Sequence, residues 1–60
     1  MLTPSMLLQM LTEAEARRDD VTLPADVRER SAETASLCQQ RMAMEGLNRD
    51  RLREMAEAEA

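Results

Sequence analysis

Pro4, Pro24 and Gly46 are the only prolines and the only glycine in the chain, and each stands where a helix can begin or end. Proline suits the first turn of a helix, where its missing N–H has no intrahelical partner, and it breaks a helix interior. Glycine tolerates the left-handed backbone that closes a helix. These residues divide the chain into helical segments, predicted at 4–18, 24–45 and 49–58.

The longest segment opens at Thr22-Leu23-Pro24-Ala25-Asp26. Thr22 is the best capping side chain nearby, and Asp26 places negative charge at the positive helix end. It closes at Glu45-Gly46-Leu47, where Leu47 can fold back onto the last turn. At helical spacing Val27, Thr34, Cys38 and Met42 lie along one stripe, with Leu37 and Met44 at one edge and Ala35 at the other. Arg30 and Arg41 share that arc, and their stems can cover apolar surface while the heads reach water. The run from Ser31 to Ser36 offers almost no bulk, so another helix can approach closely there. The expectation is a central helix at 24–45 with its neighbours folded back onto it.

The first segment has Thr3 as its cap and Pro4 as its first helical residue. Leu2 and Leu7 have the spacing of a hydrophobic staple. Leu7, Leu11 and Ala14 form the apolar stripe, flanked by Leu8 and Met10. Glu13 with Arg17 and Glu15 with Arg18 are spaced as helical ion pairs. Asp19 and Asp20 oppose the negative helix end and stop the helix, after which Val21 and Leu23 are expected to tuck under it. The third segment has Asn48 as its cap and repeats the staple with Leu47 and Leu52. Leu52, Met55 and Ala56 give it a narrow stripe. Its end, Glu57-Ala58-Glu59-Ala60, puts acid at the negative pole and is expected to fray.

The fold class that follows is all-α: a single small three-helix domain over 1–60. The second and third helices are expected to form a hairpin, with the first across the small-residue surface of the second. There is no Phe, Tyr or Trp, so Leu and six Met must fill the core. A chain of this length buries only about 60% of the surface its unfolded form exposes, and Met specifies packing poorly. A core this thin favours association. The leading assembly is a homodimeric helical bundle that buries the Leu and Met faces.

Composition also excludes chemistry. There is no His, Lys or Tyr, so Cys38 has no imidazole or lysine to activate it. The acid pairs Glu13/Glu15 and Glu29/Glu33 are solvated helix faces. Asp19 and Asp20 lack the spaced oxygen ligands of a calcium loop. Met42 and Met44, two apart, point away from each other. No catalytic residue, cofactor, metal or small-molecule substrate is expected. A net charge of −4 argues against non-specific binding to nucleic acid or anionic membrane. The apolar stretch at 6–11 is too short for a membrane span or signal peptide. A single Cys permits no intrachain disulfide, in keeping with a reducing cytoplasm.

One local pattern carries a resemblance. From Arg41 to Met55 a helix, a Gly turn, a Leu, an Asn cap and apolar residues at Leu52 and Met55 resemble the helix-turn-helix pattern. That resemblance implies a transcriptional regulator with Arg49, Arg51 and Arg53 at DNA. The chain departs from it at Met42, where a small residue normally stands, and Asp50, Glu54, Glu57 and Glu59 balance the arginines. The leading functional expectation is a non-enzymatic protein-interaction module, an adaptor or an oligomerising protein. It would bind itself or another protein through Leu7, Leu8, Met10, Leu11, Leu37, Met42, Met44, Leu52 and Met55.

Overall fold

The computed structural model describes residues 2–59. It contains three helices, α1 (Pro4–Asp19), α2 (Ala25–Met44) and α3 (Arg49–Ala58), and no strand among the described residues. The punctuation works chemically as its residue types require. Thr3 Oγ1 accepts from the Met6 N–H at the start of α1, and Asn48 Oδ1 accepts from the Arg51 N–H at the start of α3. Gly46 sits at φ +70°. Its N–H donates to Ala43 at 3.1 Å, and the Leu47 N–H reaches back to the Met42 carbonyl at 2.8 Å. That pair of reversed bonds is a Schellman closure, and it delivers Leu47 against the core.

The turn between α1 and α2 departs from expectation. Thr22 does not cap α2, which starts on Pro24 with no side-chain cap. Instead its N–H and hydroxyl both donate to Asp20 Oδ1, at 2.9 and 2.6 Å. Asp20 is the nearer acceptor, and satisfying it folds the chain back through an Asx-type turn. Val21 does not tuck under α1; it is exposed at the turn, and Leu23 is only half-buried.

α1, not α2, is the central helix. It packs against both of the others, whereas α2 and α3 do not pack backbone to backbone. The hairpin is therefore α1 with α2, and α3 returns along the other side of α1. Both run antiparallel to α1. Arg18 neighbours Ala25 and Arg28 at one end of the first pair, and Leu2 neighbours Met44 at the other. For the second pair, Glu15 meets Arg49, while Glu59 Oε2 accepts from the Ser5 N–H at 2.8 Å. Glu59 is thus not idle at the wrong pole of α3: it caps the positive pole of α1. Ala60, the last residue of the stretch expected to fray, lies outside the described residues.

The reason lies in side-chain size. The core is Leu7, Leu11 and Ala14 of α1, Ala35, Cys38 and Met42 of α2, and Leu52 of α3, with Leu2, Leu8 and Leu47 at its edge. The inward stripe of α2 is Ser31, Ala35, Cys38 and Met42. It is rotated away from the predicted one toward its smallest residues. Those let α1 approach closely, and Ser31 stays satisfied in the contact by donating to the Val27 carbonyl at 2.9 Å. α1 has apolar residues flanking its stripe, Leu8 among them, and both other helices pack against it.

Leu11 and Leu52 are the largest fully buried side chains. Leu52→Ala should cost about 2–5 kcal/mol, a large share of what so small a domain holds. Urea unfolding followed by circular dichroism measures it, and a loss below about 0.5 kcal/mol, the size typical of an innocuous surface change, would show that α3 does not belong to the core. The Asp20 carboxylate is held below the ordinary Asp range by the Thr22 hydroxyl and then the Thr22 N–H, against a smaller opposing effect of burial. Its contribution to stability is therefore present above the ordinary Asp pKa of 3.8 and lost as pH falls through its lower folded value. Thr22→Val should move the Asp20 titration, read by NMR of the carboxyl carbon, back toward 3.8. An unmoved titration would assign the shift to some other group.

Candidate interaction surface

Nine apolar residues were expected to form an interaction face, and the fold separates them into two sets. Leu7, Leu11, Met42 and Leu52 are buried in the chain's own core, and Leu8 and Met55 are half-buried. Met10, Leu37 and Met44 remain in water, at 40%, 64% and 87% exposure. The rotation of α2 that buries Ala35 carries Leu37 and Met44 more than a quarter turn away from α1.

These exposed residues line a common groove of about 670 Å³ between α1 and α2. Leu2, Leu7 and Met10 form its α1 side, and Thr34, Leu37, Cys38 and Met44 form its α2 side. Gln40, Arg41 and Glu45 supply its polar rim, where Arg41 Nε donates to Glu45 Oε2 at 3.2 Å. Met6 adds a further exposed apolar side chain on α1, one turn from Met10. The sequence reading passed over Leu2 and Met6 as surface elements. The i, i+4 spacing of Met6 and Met10 was the available signal.

Cys38 lies at the floor of this groove and is only 5% exposed. Burial raises its thiol above the ordinary cysteine range, so the neutral form dominates and the side chain behaves as a small apolar residue. Among the described residues no three cysteine or acidic side chains converge as metal ligands, and no helix is long and apolar enough to cross a membrane.

The arginines of α3 differ in their partners. Arg49 Nη2 donates to both carboxylate oxygens of Glu15, at 2.7 and 2.6 Å, across the α1–α3 contact. Arg51 donates to Glu54 at 3.2 Å. Arg53 is exposed and has no ion-pair partner among the described residues. The two helices either side of Gly46 do not form the packed pair that a helix-turn-helix uses to present its second helix.

The helical ion pairs expected on α1 are replaced. Glu15 takes Arg49 rather than Arg18, Arg18 turns to Asp19 at 3.0 Å, and Glu13 accepts from Gln9 at 3.3 Å. No local signal marks the Glu15–Arg49 pair, whose partners are 34 positions apart. Comparison with protein-family models, curated proteins and solved structures finds no match to this chain.

Glu15 is only 20% exposed at its side chain and Arg49 43%, so the pair is partly shielded from solvent. A double-mutant cycle with Glu15→Ala and Arg49→Ala should give a coupling of about 0.5–1 kcal/mol, the upper part of the range for surface pairs. Amide exchange should quicken in α3 more than in α2. Equal quickening in both helices would show that the pair does not hold α3 in place.

Proposed function

We propose that this chain is a small, non-enzymatic protein-interaction module, and that the groove between α1 and α2 is its working surface. The observation that carries the reading is the exposure of Leu37 and Met44 beside Met10 around one apolar groove, in a chain with few large apolar side chains. Solitary exposed apolar residues are ordinary, whereas a contiguous apolar patch with a polar rim is the usual anatomy of a protein-binding surface. Methionine supports the reading, since its flexible, polarisable side chain adapts to a partner's shape. A cytoplasmic setting is in keeping with a lone buried thiol.

The methionine methyl groups supply the test, through their accessibility to a soluble gadolinium chelate in NMR. At high dilution the Met44 methyl should be strongly attenuated and that of Met42 protected. In concentrated solution of the chain, or in protein-rich cell extract, Met10 and Met44 should become protected as a protein covers the groove. If both stay fully accessible in each condition, the groove is not a protein-binding surface.

A further inference from the structure

We infer that α3 is a lid on one end of the α1–α2 groove, a segment of the chain that opens as a unit about Gly46 while the α1–α2 hairpin stays folded. The inference rests on the reading of the groove as a protein-binding surface and adds its regulation. Leu2, Leu7, Arg41 and Glu45 line both the groove and a smaller cavity of about 90 Å³. The far wall of that cavity is Leu47, Leu52 and Met55. α3 and the residue that leads into it thus close the groove where the start of α1 meets the end of α2. With α3 away, groove and cavity become one longer apolar trough.

The attachment of α3 is the weakest in the fold. α1 buries Leu7, Leu11 and Ala14, and α2 buries Ser31, Ala35, Cys38 and Met42, whereas α3 buries Leu52 alone. Met55 and Ala56 are only half-buried, and the cavity beside Leu52 and Met55 leaves part of this contact without packing partners. α3 packs as a helix on α1 and not on α2. Its two ends are held by polar contacts near solvent, Arg49 with Glu15 and Glu59 with the Ser5 N–H at 2.8 Å. Few buried apolar contacts and exposed polar ones mark a segment that opens locally, ahead of the whole molecule.

The turn before α3 and the length of α3 both suit release. Gly46 sits at φ +70°, and no atom beyond its chain neighbours lies within 4 Å of where a side chain would begin, so the backbone there can turn without collision. The 10 residues of α3 are too few to hold a helix in water without packing. Undocked α3 therefore unwinds, and the freedom it regains offsets the contacts it gives up. The lid works as a switch between order and disorder. A protein that uses the longer trough must displace α3 or find it open, so docking of α3 and binding of that partner oppose each other.

Native-state amide exchange of the whole chain in low urea, read by NMR, is the primary test. The amides from Arg53 to Ala58, which donate within α3, should share one opening. That opening should be about tenfold or more populated than those of the α1 and α2 interiors, with a weaker dependence on urea. Glu59→Ala, which alters an exposed residue, should make it about threefold more frequent and leave the α2 interior unchanged. In a Cys38→Ala background, joining Ser5→Cys to Glu59→Cys with a short bis-maleimide should slow exchange in α3. The same link should weaken binding of Nile red, a neutral apolar dye, about threefold relative to the unlinked chain. A single opening shared by all three helices, with one urea dependence, overturns the lid. So does a steady rise in exchange toward Ala58, which is fraying. Equal dye binding by linked and unlinked chains overturns the place of α3 at the groove. None of these readouts depends on a protein covering Met44, so a Met44 accessible in every condition would remove the groove reading and leave the opening of α3 standing.

Discussion

The close approach of α1 to the small side of α2 is the contact on which the rest of this structure depends. Ser31 and Ala35 have so little bulk that the α1 stripe of Leu7, Leu11 and Ala14 can settle against them, with Cys38 and Met42 filling the remainder. Without aromatic side chains, closeness of backbones substitutes for size of side chains. Ser31 can take part because its hydroxyl bonds to its own helix and asks nothing of α1.

Two features follow from that choice. First, α1 becomes the hub, since α3 packs against it as well and places Leu52 in the shared core. The Schellman turn at Gly46 and the pairings of Glu15 with Arg49 and of Glu59 with the Ser5 N–H orient α3 along it. Second, turning the small side of α2 inward turns Leu37 and Met44 outward. The exposed groove is a geometric consequence of the core, and the proposed function uses what the core leaves over.

The ends of the helices were legible residue by residue, except at the start of α2, where Thr22 does not act as the cap. Thr3, Pro4, Gly46 and Asn48 act locally, through bonds that span a few residues, so their chemistry is visible without a partner element. The α1 core stripe was legible for the same reason, because Leu7, Leu11 and Ala14 are apolar and regularly spaced. Less of the candidate surface was legible. Leu37 and Met44 were recognisable as apolar residues on α2, but Leu7, Leu11, Met42 and Leu52 carry the same pattern and are buried within the chain. Periodicity marks an apolar face; it does not say whether the chain itself or another molecule covers it.

The sequence by itself determined the class of fold: three helices with bounded ends, an acidic chain without His, Lys or Tyr, and a core that must be thin. Those properties depend on composition and on interactions within one turn of helix. Only the tertiary structure decided which helix is central, which residues of α2 face inward, and that Arg49 belongs to Glu15. Each of these is a competition between nearby alternatives of similar local energy. Such contests are settled by how well whole helices fit together, and that fit is a property of the assembled surfaces.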